Sequence, residues 1–338
     1  MSATAPDRPT RLSARAVLVG LAAILGAVTL GSLVGPVHIP FGEAIKRLFG
    51  SPSSLTDRQA DILTAVRLPR VVLGGLVGSM LALAGASYQG VFRNPLADPY
   101  LLGVAAGAGL GATVAISAGA TPAVLPAAAF AGAIVAVVAT YAVGRSVGRR
   151  STTSLILAGV AMASFLTAIQ TYVQQRHTDT LREVYAWILG RLSTSGWHEV
   201  LLILPYLVFG GTVILLHRRM LDVLSLGEEE ASALGVPVRR VRLLVVGAAT
   251  LGTAAAVAVS GLIGFVGIIV PHAIRLVTGA SYRVILPLSA MFGAAFLIIA
   301  DLTARTVLSP AELPIGVVTA FLGAPFFVLV LRTAKGLR

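Results

Sequence analysis

The chain has 338 residues, of which 56% are hydrophobic and 12% charged, and its mean hydropathy is +0.89. That apolar share exceeds the usual share in a soluble domain, so a single water-soluble core is excluded. The absence of cysteine excludes disulfides, thiolate metal sites and a cysteine nucleophile. The net charge is +12, but binding of nucleic acid would need a soluble basic domain, which this chain lacks. Nucleic acid is therefore not expected as a partner.

Long uncharged stretches predict about ten membrane-spanning helices. A helix needs about 20 apolar residues to cross the roughly 30 Å hydrocarbon layer of a bilayer. In chain order, the predicted spans are residues 16–36, 71–92, two within 99–144, 151–175, 200–217, one span and a short second one within 243–274, 284–302 and 313–331. The first run is longer than the apolar region of a secretory signal, so we expect it to be retained. The predicted fold class is an all-α polytopic membrane protein.

The orientation in the membrane is predicted from the basic residues. An even number of spans places both termini on one side, and the loops on that side hold 17 of the 26 Lys and Arg residues. Cytoplasmic loops are enriched in these residues, so both termini are predicted to be cytoplasmic. Residues 1–15 and 334–338 are then cytoplasmic tails that flank one membrane domain, residues 16–333.

Two polar segments are long enough to be more than turns. The outer one, residues 174–199, carries Tyr185 and Trp187, which suit a membrane interface. The inner one, residues 218–242, has Gly227 between two polar stretches and predicts a helix, a glycine break and a second helix. Such a pair could dock into a groove on a soluble partner or simply present a solvated face, and the segment alone leaves both readings open.

A weak internal repeat predicts two related halves. Two Gly-Pro-Gly motifs have the same spacing: Gly85, Pro95, Gly103 and Gly261, Pro271, Gly279. The helices that enter the two motifs are predicted to run in opposite directions, which is the pattern of an inverted repeat. Because the chain has 36 glycines, coincidence remains an alternative explanation of the spacing.

No catalytic constellation is found in the sequence. The five histidines are scattered over different segments, and the stretch from Gly85 lacks the last glycine of a G-x-S-x-G elbow because Gln89 stands there. Neither lysine, Lys46 or Lys335, follows a glycine as a P-loop requires. We therefore predict no enzymatic activity, no cofactor, no metal site and no ATP binding through a Walker motif.

Ionisable residues within the predicted spans are few. Asp301 is the clearest, and Arg305 follows it one helical turn later, so we expect an i, i+4 ion pair. A proton-coupled carrier would ordinarily show several carboxylates at mid-membrane depth, and this sequence has essentially none. An energy source for transport would then lie outside the chain.

Five motifs together are typical of one protein family. They are Arg67-Leu-Pro-Arg70, residues 89–103, Gly264-Phe-Val-Gly267 followed by Pro271-His272-Ala-Ile-Arg275, Glu312-Leu-Pro-Ile-Gly316 and Gly323-Ala-Pro-Phe-Phe327. In their order and spacing they resemble the FecCD family, over nearly the whole chain from about residue 16. The members of that family are permeases of type II ABC importers for iron-siderophores, haem and cobalamin.

The resemblance implies a homodimer in a bacterial cytoplasmic membrane, joined by two ATP-binding-cassette ATPase subunits and an extracytoplasmic substrate-binding protein. In the family, arginines at the outer face receive glutamates of the binding protein, and the matching residues are Arg67, Arg70 and Arg305. Arginine suits that role because it makes bidentate, charge-assisted bonds to carboxylates. A purely structural role as interface anchors is the alternative.

The resemblance also implies a gate and a contact with the ATPase. The gate residues are expected in the loops after the second and fourth helices: Asn94, Leu96, Thr152 and Thr153. The residues expected to contact the ATPase belong to the inner polar segment: Glu230, Ala231, Leu234 and Gly235.

The leading functional prediction is ATP-driven uptake of a large chelate by alternating access. An iron-siderophore is the first expectation for the cargo, with haem and cobalamin behind it. A cobalamin-specific permease, a stand-alone channel and an ion-coupled carrier are the alternatives. A polytopic membrane enzyme is a further class, but it would need the catalytic constellation that the sequence lacks.

Overall fold

The computed structural model describes residues 11–146, 152–193 and 196–335, and all regular structure in these ranges is helical. The α-helices are α1 (Ala14–Leu33), α2 (Phe41–Leu48), α3 (Asp57–Asp61), α4 (Leu68–Phe92), α5 (Val104–Ser117), α6 (Leu125–Ser146), α7 (Thr152–Arg176), α8 (Leu181–Ile188), α9 (His198–Leu216), α10 (Arg218–Leu224), α11 (Glu228–Ala233), α12 (Val238–Ser260), α13 (Val266–Thr278), α14 (Tyr282–Thr306) and α15 (Ile315–Lys335). A π-helical turn, Ile62–Arg67, joins α3 to α4, and a 3-10 turn, Thr178–Thr180, precedes α8. The predicted all-α class is confirmed.

The apolar helices account for the ten predicted spans. Within the described ranges, seven helices are long and apolar enough to cross a bilayer, namely α1, the continuous helix Asp57–Phe92, α6, α7, α9, α12 and α14. Three shorter apolar helices supply the rest: α5, α13 and the part Ile315–Val328 of α15. Of the predicted tails, residues 1–10 and 336–338 lie outside the described residues, and residues 334–335 belong to α15.

The second span begins earlier than the sequence predicted. The expected range was 71–92, whereas α3, the π turn and α4 form one helix, Asp57–Phe92. The predicted span started after Arg67 and Arg70, because a charged residue inside a span costs free energy unless it has a partner. The helix retains both residues because each guanidinium group has hydrogen-bond acceptors within the bundle.

The centre of the bundle is α4, which packs against α9, α12, α13 and α14. Its glycines allow contact between backbones, since a β-carbon on Gly85 would lie 2.0 Å from the carbonyl oxygen of Gly267. A β-carbon on Gly78 would lie 2.2 Å from the carbonyl oxygen of Gly293. Small residues permit such close approach in membranes, where the lipid gives no hydrophobic drive for helix association. These two contacts hold α4 against α13 and α14.

In each half of the chain, four helices follow the same pattern of lengths: one long, one short and two long. Helices α4 to α7 have 25, 14, 22 and 25 residues, and α12 to α15 have 23, 13, 25 and 21. Each short helix starts after a residue with left-handed φ, 82° at Gly103 and 69° at Phe265. This order agrees with two related halves, and the inversion of one half relative to the other stays a prediction. The Gly-Pro-Gly motifs do not mark equivalent positions, because Gly85 lies inside α4 while Gly261 ends α12.

The two polar segments form short helices. In the inner segment, α10 and α11 are separated at Gly227, whose φ of 147° an L-residue rarely adopts. The predicted helix, glycine break and helix are therefore confirmed. In the outer segment, α8 buries Trp187 against the bundle and leaves Tyr185 exposed.

Candidate docking sites at the two ends of the bundle

Arg67 lies buried at the rim end, which we define as the end where α1 and α14 finish and α4 begins. Its Nη1 donates hydrogen bonds to the carbonyl oxygens of Ser32 (3.2 Å) and Leu33 (2.8 Å), and its Nη2 donates to that of Val37 (2.6 Å). The last carbonyls of a helix lack partners within the helix and carry the negative end of its dipole. Arg67 therefore fastens the end of α1 to the start of α4.

Arg70 lies between two carboxylates. Its Nε is 3.0 Å from both carboxylate oxygens of Asp301, and its Nη2 is 2.8 Å from Asp301 Oδ1. On its outer side, Nη1 and Nη2 donate to the two oxygens of Glu312 at 3.1 and 2.9 Å. The Asp301 side chain is 3% exposed and that of Glu312 is 50% exposed. Arg70 thus joins a buried carboxylate to one at the surface.

Arg305 completes this group of charges. Its Nε lies 3.5 Å from Asp301 Oδ2, so the predicted i, i+4 ion pair is confirmed. Its Nη2 donates a hydrogen bond to the carbonyl oxygen of Gly31, beside the carbonyls that Arg67 binds. The guanidinium group of Arg305 is buried with that of Arg67.

The structure brings the three predicted arginines into one rim cluster, defined as Arg67, Arg70, Arg305, Asp301 and Glu312. Three guanidinium groups face two carboxylates, so the cluster carries one surplus positive charge. The hydrogen bonds of Arg67 and Arg305 go to carbonyl oxygens inside the bundle, and only Arg70 and Glu312 connect the cluster to the surface. Contact of these arginines with a binding protein stays a prediction.

The segment after α1 is fixed at the same end by Glu43. The carboxylate accepts hydrogen bonds from Lys46 Nζ (2.6 Å) and from the backbone N–H of Ser54 (2.5 Å). These bonds, that of Lys46 first, lower the pKa of Glu43 to about 2. Glu43 consequently stays ionised at neutral pH and holds the turn after α2.

At the far end, where α4 finishes and α14 begins, Asp222 of α10 caps α14. Its carboxylate accepts hydrogen bonds from the backbone N–H of Tyr282 and from the hydroxyl of Ser281 (3.1 Å), and it lies 3.0 Å from Arg283 Nε. Ser281 precedes α14 but makes no capping bond with its own side chain. Carboxylates stabilise helix N-termini by satisfying free N–H groups and opposing the dipole. Asp222 therefore ties α10 to the start of α14.

Hydrogen bonds of Arg275 extend the contact between α10 and α14 to the centre of the bundle. Arg275 Nη2 donates to Gln89 Oε1 (3.0 Å) and lies 3.3 Å from the hydroxyl of Tyr282, while Gln89 Nε2 donates to the carbonyl oxygen of Gly267 (3.2 Å). The path from Asp222 through Tyr282 and Arg275 to Gln89 thus connects α10, α14, α13 and α4. Asp222 was not predicted as a site residue. The signal that could have identified it is an acidic residue within a segment rich in arginine.

The predicted gate residues lie at the far end of α4 and at the start of α7. Asn94 Oδ1 accepts the backbone N–H of Leu96 (2.9 Å), which closes an Asx turn after α4 and leaves the Leu96 side chain exposed. Thr153 is exposed, and the side chain of Thr152 lies outside the described residues. The gating role of these residues stays a prediction.

The residues expected to contact an ATPase differ in their exposure. Glu230, Leu234 and Gly235 are exposed on and after α11, and Gly235 has a φ of 79°. Ala231 is fully buried and belongs to the same core cluster as Leu221 of α10. Ala231 therefore packs α11 onto the bundle, and the exposed surface is formed by the other three residues.

Comparison with known protein families identifies the family of this chain. The model of the FecCD transport family matches residues 21–333. The chain belongs to the FecCD transport family. Its predicted resemblance is thereby confirmed, and the chain is a membrane-spanning permease of the ABC-importer class.

Relatives match this chain over almost its whole length. It is 42% identical over 344 residues to the cobalamin import system permease protein BtuC of Halobacterium salinarum, covering 98% of this chain and 92% of the relative. It is 39% identical over 342 residues to the hemin transport system permease protein HmuU of Yersinia pestis, covering 95% and 97%. A solved structure superposes with a TM-score of 0.85 at 29% identity, covering 95% of this chain and all of the other. That structure is described as an inward-facing conformation of a transporter assigned to the metal-chelate type of ABC transporter.

Proposed function

We propose that this chain is the conduit of an importer that is driven by separate ATP-binding-cassette subunits and carries a metal chelate. The observation that carries the proposal is the family match over residues 21–333. The ion pairs of Asp301 with Arg70 and Arg305 give this carboxylate a structural role in the bundle.

The cargo class follows from the named relatives and the solved neighbour. One relative is a cobalamin permease, another a hemin permease, and the neighbour is assigned to the metal-chelate type. These cargoes share a metal ion enclosed by a large organic ligand. We propose an iron-siderophore, haem or cobalamin as the cargo, with cobalamin favoured by the 42% identity to a cobalamin permease.

In the proposed assembly, two permeases enclose the path of the cargo. The gate at the far end is formed by Asn94, Leu96 and the start of α7 in each copy. The exposed residues of α11, Glu230, Leu234 and Gly235, contact the ATPase. Both termini are cytoplasmic, which agrees with the 17 basic residues on their side. Pairing with a second copy is the proposal, and pairing with a related permease is its alternative.

Docking of the substrate-binding protein at the rim end is proposed to act through Arg70. Glu312 is half exposed and occupies the outer face of the Arg70 guanidinium group. A carboxylate of the binding protein would replace Glu312 there without disturbing the inner bonds to Asp301. Until docking, Glu312 therefore occupies the position on Arg70 that the carboxylate of the binding protein would take.

Uptake into liposomes tests the proposed function. The permease is reconstituted with and without the ATP-binding-cassette ATPase of the proposed importer, and uptake of cyanocobalamin, haemin and a ferric siderophore is measured in the presence of the binding protein. We expect uptake of one chelate only with the ATPase and ATP. Uptake by the permease alone would overturn the proposal and support a channel or an ion-coupled carrier.

The orientation is tested by single-cysteine labelling, because the chain has no cysteine of its own. A cysteine at exposed Ser232 should react with a membrane-impermeant maleimide only after the cells are opened. A cysteine at exposed Ser51 should react in intact cells. The reverse pattern would overturn the cytoplasmic assignment of the termini.

A further inference from the structure

A groove runs between α6 and α12 toward the far end of the bundle. Its walls are apolar residues at helical spacing on the two facing helices: Ile134, Val137, Val138 and Tyr141 on α6, and Leu243, Val246, Gly247 and Leu251 on α12. The cavity has a volume of about 930 Å³. This volume lies at the upper end of the range for small-molecule sites.

The groove is left open by the side chains of this chain. A β-carbon on Gly247 would meet no atom within 4 Å, so α12 lacks a side chain where one would fit. Val138 and Leu243, on opposite walls, are 63% and 59% exposed. In a chain that spans a membrane, an open apolar face of this kind is covered by lipid or by another helix.

Arginines line one end of the same groove. Arg145 comes from the last turn of α6, and Arg239 and Arg240 come from the first turn of α12. All three are exposed, and within the described ranges none of their side chains makes an ion pair or a hydrogen bond. Arg242 pairs with Glu228, but its Nε is buried without a hydrogen-bond partner. The groove end therefore has four guanidinium groups and one carboxylate.

The position of these arginines on α12 is unfavourable for the isolated helix. Cations near a helix N-terminus oppose the positive end of the dipole, and the first turn of α12 contains no acid. An anion bound there would be stabilised by the guanidinium groups and by the positive end of the helix dipole. The charge at the groove end thus matches a phosphate group.

We propose that this groove binds one anionic phospholipid, with its acyl chains between α6 and α12 and its phosphate at Arg239 and Arg240. A phosphate alone would leave the apolar walls uncovered, and a neutral lipid would leave the arginines without a counter-charge. Basic pockets between membrane helices bind anionic headgroups for the same reason. The proposal does not depend on the identity of the cargo.

Native mass spectrometry of the purified full chain tests the proposal. The probes are dioleoylphosphatidylglycerol and dioleoylphosphatidylcholine, which have the same acyl chains. Each arginine near an anionic headgroup is worth about fivefold in affinity, so R239Q/R240Q should weaken phosphatidylglycerol binding about 25-fold. Phosphatidylcholine binding should not change. The matched control, R11Q/R15Q, removes the same charge from exposed positions on the N-terminal segment and should leave both affinities as in the parent.

Two further variants separate the possible occupants. Gly247→Leu fills the groove without touching the arginines and should weaken both lipids. Val138→Cys introduces the only thiol of the chain, and a disulfide between two copies at this position would show a second copy in the groove and overturn the proposal. Equal affinity of the parent chain for the two lipids, or equal losses in the control and in R239Q/R240Q, would also overturn it.

Discussion

The arginines of the rim cluster and those of the groove end differ in what surrounds them. Arg67, Arg70 and Arg305 are bonded to helix-end carbonyls or carboxylates within the bundle. Arg239 and Arg240 extend from the first turn of α12 without such partners among the described residues. Both groups lie at helix ends, and the burial of their surroundings separates them.

The difference teaches that one residue type performs two tasks in this fold. A guanidinium group that replaces the missing hydrogen bonds of a helix end becomes part of the structure, as Arg67 does for α1. The guanidinium groups of Arg239 and Arg240 have no such carbonyl partner among the described residues and remain available to an anion from outside. Substitutions on the two sides of this comparison should therefore have very different effects on stability.

The largest effect is expected from Asp301→Asn. The substitution removes the buried carboxylate that neutralises Arg70 and Arg305, and an uncompensated buried charge costs about 3–5 kcal/mol. We expect a clear fall in melting temperature, measured by size-exclusion fluorescence after heating the detergent-solubilised protein. A melting temperature equal to that of the parent would show that the rim cluster is not part of the structural core.

A smaller effect is expected from Asp222→Ala, which removes the cap of α14. The loss of a helix cap and of a half-exposed ion pair amounts to about 1–2 kcal/mol. Because Asp222 ties α10 to α14, we also expect ATP hydrolysis by the full complex to continue while uptake falls. The readout is the ratio of chelate transported to ATP hydrolysed. Arg219→Ala, on the same helix, is the control and should keep the parental ratio.

Glu312→Gln should change stability by less than about 1 kcal/mol, since the carboxylate is half exposed and Asp301 still holds Arg70. If Glu312 holds the place of a partner carboxylate, its removal should tighten docking of the substrate-binding protein. Surface plasmon resonance on the immobilised permease measures this affinity. Weaker docking in the variant would mean that Glu312 contributes to the contact instead of competing with it.

The smallest effect on stability is expected from R239Q/R240Q. Exposed substitutions away from caps and buried partners usually change stability by no more than about 0.5 kcal/mol. The melting temperature in lipid-free detergent should therefore match that of the parent. A large fall would place these arginines with those of the rim cluster and remove the contrast between the two groups.

The sequence predicted the spans and the helix pair because both leave local signals. Apolar runs of about 20 residues mark the long helices, and Gly227 marks the break between α10 and α11. The order of the five motifs was sufficient to indicate the family. No such local signal shows whether an individual site residue is exposed or buried.

The remaining features depend on neighbours that are distant in the chain. The burial of Arg67 depends on carbonyls 30 to 35 residues before it, and the bonds of Arg70 depend on Asp301 and Glu312 more than 230 residues after it. Ala231 resembles its exposed neighbours in sequence, and only the packing of α11 on α10 shows that it is buried. The groove between α6 and α12 likewise exists only after the two helices have packed.

The central position of α4 has a consequence for biosynthesis. Helix α13, which covers Gly85, begins 174 residues after α4 ends. At roughly 5–20 residues per second, a ribosome needs on the order of ten to thirty-five seconds to make that stretch. During this delay the polar side chains of Ser87 and Gln89, buried in the finished bundle, are without their final cover. A nascent chain that stalls before α13 would leave Gln89 without its hydrogen-bond partners, Gly267 and Arg275, which both belong to α13.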